Sequence, residues 1–210
     1  MKNQWLSAWH LFWVLVAAYA VGWGIGLAFA DPRLSSGTEF LVKHAVRCAL
    51  PYFVVAFTAS SLVLLWPNQL TKWLRANRRF FGLAFAAGMA WHLTVVAFAF
   101  YRFNSRLSVR DFSQDAVGVL FLIVLTLTSF RVAARHLSSL NWRRLHKAGV
   151  YVIWGLATHI YLGTLRNHGS LVDVLFFSAL LAAWLVRVIA WLDTARGRQA
   201  SRPTHGQSSA

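Results

Sequence analysis

The sequence predicts an all-α integral membrane bundle of six transmembrane helices, with both termini on the cytoplasmic side. Three observations predict it. Of the 210 residues 58% are hydrophobic and only 13% charged, with 11 Trp and 16 Phe, so the chain would expose far too much apolar surface in water. The apolar residues fall into continuous runs of the ~17–25 residues that a helix needs to cross a bilayer, without the alternation of a membrane strand. Lys and Arg gather in the short segments between runs, as membrane topology requires.

The runs fall at 9–29, 45–66, 80–101, 114–133, 147–165 and 171–192. The first ends in AFADP, which looks like a signal cleavage site. Its apolar stretch of about 20 residues exceeds the ~7–15 of a signal peptide, so it is expected to be a retained helix. Gly22, Gly24 and Gly26 in that run predict a close-packing patch. The second run carries Cys48, which as the single cysteine forms no intramolecular disulfide or thiolate cluster and is expected to act as a small apolar residue. The third and fifth runs resemble each other. Each follows a basic stretch, has a mid-span glycine with a histidine one turn later, and crosses in the same direction. Residues 1–194 thus form one domain. The polar segment 195–210 is expected to be a disordered cytoplasmic tail.

With the N-terminus inside, 13 Lys and Arg lie on the cytoplasmic side, including Lys72, Arg75, Arg78, Arg79, Arg143, Arg144 and Lys147, against seven outside, including Arg33, Lys43, Arg47, Arg102 and Arg166. Arg187 lies within the last run, near its end, where its stem lets the charge reach water. The net charge of +15 therefore describes topology. No soluble basic domain is present to bind nucleic acid, and no Gly-rich phosphate loop follows a strand pattern. The acidic residues Asp31, Glu39, Asp111, Asp115, Asp173 and Asp193 fall in loops or at span ends, which argues against proton-coupled transport.

His92 and His159 lie inside the third and fifth runs, and an ionisable residue at membrane depth is a functional hypothesis. Gly88 precedes His92 by four residues and Gly155 precedes His159 by four, so each glycine lies beneath its histidine on one helix face. Counted from Arg78 and from His146, both histidines stand about 20 Å from the cytoplasmic edge. Two imidazoles at one depth with glycine gaps beside them suit a six-coordinate b-type heme. Zinc fits less well, because no third or fourth ligand appears at that depth. Arg78 and His92 share a face, 14 residues apart. His146 and His159, 13 apart, do not on a straight helix, so either His146 lies in the preceding turn or the helix is irregular near Gly149 or Gly155. His44 is a minor candidate for a place near a heme or an acceptor. His10 could snorkel, and His136, His168 and His205 are expected to be solvated.

The succession RRFFGLAFAAGMAWH followed by LTLTSFRVAARHLSSLNWRRLHKAGVYVIWGLATH resembles the ferric-reductase-like transmembrane domain, and most closely the MsrQ-type heme-binding membrane subunits. The resemblance covers residues 38–190 and is most specific in the third to fifth runs. It implies that His92 and His159 are axial ligands of one heme b. It implies that His146 holds a second heme or helps bind a flavin such as FMN, and that Arg78 pairs with a heme propionate or a flavin phosphate. Arg78 stands where the wider superfamily has a histidine, as in MsrQ proteins. The implied function is electron transfer across the bacterial inner membrane, from a cytoplasmic flavin reductase or a quinol to a periplasmic acceptor such as a molybdopterin-containing methionine sulfoxide reductase. A stand-alone ferric reductase is the alternative, and a heme-free transporter or scaffold is the rival from another class.

Overall fold

The computed structural model describes residues 8–103, 109–130 and 138–200. Among them are six helices and no strand: α1 (Ala8–Phe29), α2 (Ser35–Leu65), α3 (Gln69–Phe103), α4 (Val109–Thr128), α5 (Ser139–His168) and α6 (Leu171–Ala200). Five are long and apolar enough to cross a membrane. In α4 the apolar stretch Ala116–Thr128 is shorter, so five of the six expected crossings stand on length and composition. The fold is that of a multi-pass membrane protein.

α3 and α5 begin well before their apolar runs, in polar sequence that caps them, and α6 is capped at its start. Before α3, the Asn68 side chain accepts from the Thr71 amide at 2.9 Å, and the Thr71 hydroxyl donates to the Trp66 carbonyl at 2.7 Å. Ser138 caps α5 by accepting from the Asn141 amide at 3.2 Å. At α6 the capping is reciprocal: the Asp173 amide donates to Ser170 Oγ at 3.3 Å and the Ser170 amide to Asp173 Oδ2 at 3.0 Å. α6 continues through Ala200, into the segment expected as tail. Arg131, Arg135, His136 and the segment from 201 lie outside the described residues.

α2 is the organising element. It packs along α3 and α6, α3 touches α4, α4 packs on α5, and α5 packs on α6. These five helices close a ring, with α1 laid across α2 and α3. Interhelical hydrogen bonds hold the crossings where uniformly apolar surfaces provide little directional force. Tyr52 donates to the Leu15 carbonyl at 2.9 Å, Trp142 Nε1 to the Thr128 carbonyl at 2.9 Å, and Trp154 Nε1 to the Leu180 carbonyl at 3.0 Å. Leu50, Phe53, Phe57, Phe85 and Leu180 form the buried centre, while Trp13, Val21, Ile25, Leu175 and Trp191 face outward. The expected close-packing patch on α1 is present at two of its three glycines. The His44 ring occupies the space a Gly26 Cβ would need, and Gly22 lies 3.3 Å from the Cys48 sulfur by the same measure.

Candidate functional site

A cavity of about 390 Å³ opens between α2, α3, α4 and α5. Such a volume falls in the roughly 300–1,000 Å³ range of cofactor and ligand sites. α2 from Leu50 to Val42, α3 from Phe85 to Val96 and α5 from Ile153 to Thr164 run along it in the same direction. The deep part is apolar, walled by Leu50, Phe85, Met89, Leu122, Ile153 and Ala157. Lys43, Arg47, His92, Tyr161, Thr164 and Asp173 gather toward the end nearer the α1–α2 and α5–α6 connections.

His92 is half-buried on the cavity wall, and its Nδ1 lies 3.1 Å from the Val42 carbonyl. A carbonyl can only accept, so this contact selects the Nδ1–H tautomer and puts the lone pair on Nε2. Metal-binding histidines are held in the same way, with one ring nitrogen donating to a carbonyl and the other carrying the donor pair. Arg78, which was expected on the same face of α3, also turns to α2 and donates to Ser60 Oγ at 2.7 Å.

His159 is not brought to this cavity. It lies on an exposed face of α5, whereas Ile153, Leu156, Ala157, Ile160, Tyr161 and Thr164 of that helix line the wall. At 100° per residue, His159 points roughly 130° away from the centre of the lining face. The two glycines also differ. A Cβ on Gly88 would lie 2.9 Å from the Ala49 Cβ and 3.0 Å from the Tyr19 ring, and the Tyr19 hydroxyl donates to the Gly88 carbonyl at 3.2 Å. The gap expected beside His92 is thus filled by α1 and α2, and Gly88 is a helix-crossing glycine rather than a cofactor-binding one. Gly155 has open space around it, on the side of α5 that carries His159.

His146 lies inside α5 and not in the preceding turn. Its Nε2 is 3.0 Å from Thr128 Oγ1, and its ring lies 4.2 Å from the Trp142 ring, so it packs against the end of α4. Arg78 is near enough to His146 and to Arg187 for their charges to interact. Arg187 departs from the expected snorkelling. It inserts between Phe57 and Tyr151, 4.4 and 4.7 Å from their ring centres, and donates to the Phe57 carbonyl at 2.8 Å and the Tyr151 hydroxyl at 3.1 Å. His44 faces α1, 2.8 Å from the Gly22 carbonyl and stacked on Phe40, away from the cavity. Among the described residues no group of three or more His, Cys, Asp or Glu could hold a metal ion.

Sequence reasoning did not find Arg47, Asp173 and Tyr161 as cavity residues. Arg47 donates to Asp173 Oδ1 at 2.6 Å, Tyr161 lies beside Arg47, and Asp173 is only 5% exposed although it stands in the first turn of α6. The available signal was the i, i+4 spacing of Lys43 and Arg47, which puts two cations on one face of α2. Comparison with protein-family models, curated proteins and solved structures gives no match.

Proposed function

We propose that this chain is a b-type heme membrane protein that passes electrons from a cytoplasmic donor to an acceptor across the membrane. The observation that carries the proposal is the apolar cavity with His92 on its wall, held through Nδ1 so that Nε2 carries the lone pair. The heme, when bound, supplies reversible one-electron chemistry. The chain supplies the rest: His92 ligates, Val42 fixes its tautomer, and Phe85, Met89, Leu122 and Ile153 exclude water and lower the local dielectric constant.

His92 is the anchoring ligand. His159 joins it only if α5 turns by roughly 130°, which would break the bond from Trp154 to the Leu180 carbonyl. Ligation by both His92 and His159 would require that turn, and with α5 in its present facing His92 would be the histidine that holds the heme. The Lys and Arg distribution supports N-in, C-in topology, and the resemblance supports a bacterial inner membrane. In that topology the Arg78, Arg187 and His146 end faces the cytoplasm, where a flavin reductase or quinol donates, and FMN or a second heme is the cofactor that end would take. The cavity end faces the periplasm and an acceptor such as a methionine sulfoxide reductase. In the stand-alone reading the acceptor is chelated ferric iron.

The test is an absorption spectrum of protein purified after expression with ample heme. A reducible b-type spectrum that is lost in His92→Ala supports the proposal. A colourless, folded protein ends it.

A further inference from the structure

The cavity is polar at one end only, and its charge there is unbalanced. Lys43 and Arg47 stand one helical turn apart on α2, with Asp173 as the acidic lining residue facing them. The Asp173 carboxylate is already engaged. Oδ1 accepts from Arg47 at 2.6 Å, and Oδ2 accepts from the Ser170 amide at 3.0 Å and the Ser170 hydroxyl at 2.7 Å. Two cations against one carboxylate leave one positive charge at the rim of an otherwise apolar chamber. Arg47 is held in place by Asp173, while Lys43 is exposed at the opening. A matching ligand has an apolar body and an acidic edge.

We infer that Lys43 and Arg47 form a carboxylate seat that receives the two propionates of heme, orienting its acidic edge toward the α1–α2 end of the bundle. The inference rests on the heme assignment proposed above. Lys43 meets one carboxylate directly. Arg47, whose guanidinium has five donors, is engaged by Asp173 and Tyr161 and offers its remaining donors to the second. Asp173 acts as a positioning residue, since it holds Arg47 at the wall and neutralises it in part. The Tyr161 hydroxyl and Thr164 line the same rim and complete its polar surface.

The probe is heme b compared with its dimethyl ester, which keeps the iron and the apolar body and lacks the acidic edge. Each is titrated into the purified full chain in detergent, and binding is read from the Soret band. Wild type is expected to bind the free acid at least roughly tenfold more tightly than the ester, because the ester loses the charge-assisted contacts of both propionates. Lys43→Gln is expected to reduce that preference, because it weakens binding of the acid through one propionate and leaves the ester unchanged. His92→Ala is the control for the underlying assignment and should lose the spectral signature with both compounds. Equal binding of acid and ester by wild type, with His92→Ala still losing both, overturns the carboxylate seat and leaves the heme assignment standing. Wild type that binds neither compound overturns both. The acid–ester comparison in wild type needs no variant, so a folding failure in Lys43→Gln leaves the test decisive.

Discussion

The same pattern, a histidine one turn after a glycine, is used in opposite ways on α3 and α5. On α3 the glycine is buried in a crossing with α1 and α2, and the histidine above it bonds to the Val42 carbonyl and lines the cavity. On α5 the glycine faces open space and the histidine is exposed. The difference comes from the partners. Ala49 is small enough, and Tyr19 long enough, to fill the space over Gly88. α5 is instead oriented by the Trp154 bond to α6 and by the close approach of Leu125 to Gly149. A sequence motif defines a face of a helix, and the neighbouring helices decide where that face points.

The sharpest way to break this comparison is to remove each histidine in turn. His92→Ala should lose bound heme almost completely, whereas His159→Ala should keep at least half of it, read as heme per protein after purification. The reverse order would mean that α5, not α3, presents the anchoring ligand. The next largest effect is on packing. Gly88→Leu forces a side chain into the α1–α2–α3 crossing, where a Cβ alone already meets Ala49 at 2.9 Å. It should cost about 3 kcal/mol, the upper part of the overpacking range, measured as unfolding in detergent. A loss under about 0.5 kcal/mol would mean that the crossing is looser than its distances imply.

The facing of α5 can be tested directly. Trp154→Phe keeps a ring in place and removes the N–H that donates to the Leu180 carbonyl at 3.0 Å. It should destabilise the fold by about 1 kcal/mol. If α5 turns to bring in His159, the variant should also raise the low-spin fraction of bound heme, because it removes a bond that opposes the turn. An unchanged spin state would assign the facing of α5 to its other contacts.

Helix number and order were legible because they follow from run length and apolarity. The shared face of Arg78 and His92 was legible too, since 14 residues nearly close four turns and both side chains do turn to α2. The rotation of α5 was not. In water an apolar stripe marks the buried side, but residues 147–165 are apolar all round, so nothing in that run distinguishes the lining face of Ile153 and Ala157 from the outward face of His159. The partnership of Arg47 with Asp173 was hidden for a different reason. They are 126 positions apart, and Asp173 reads by position as a span-end acid, while its burial depends on α2 lying against the start of α6. Arg187 was misjudged in the same way, because its partners Phe57 and Tyr151 come from two other helices.

The smallest expected effect is also the one most specific to the contrast between the two turns. Gly155→Ala adds a methyl group where no atom lies within 4 Å, on a regular stretch of α5. The change should stabilise α5 by up to about 1 kcal/mol through helix propensity, seen as a higher unfolding midpoint with unchanged heme content. The corresponding Gly88→Ala adds the same methyl group against Ala49 and Tyr19 and should lower the midpoint, because the propensity gain is offset by the overlap. Opposite signs for one substitution at two matched positions follow if Gly88 is a crossing glycine and Gly155 faces lipid. A lower midpoint in Gly155→Ala would show that a neighbouring helix or a ligand occupies that face, and would move His159 back toward the interior.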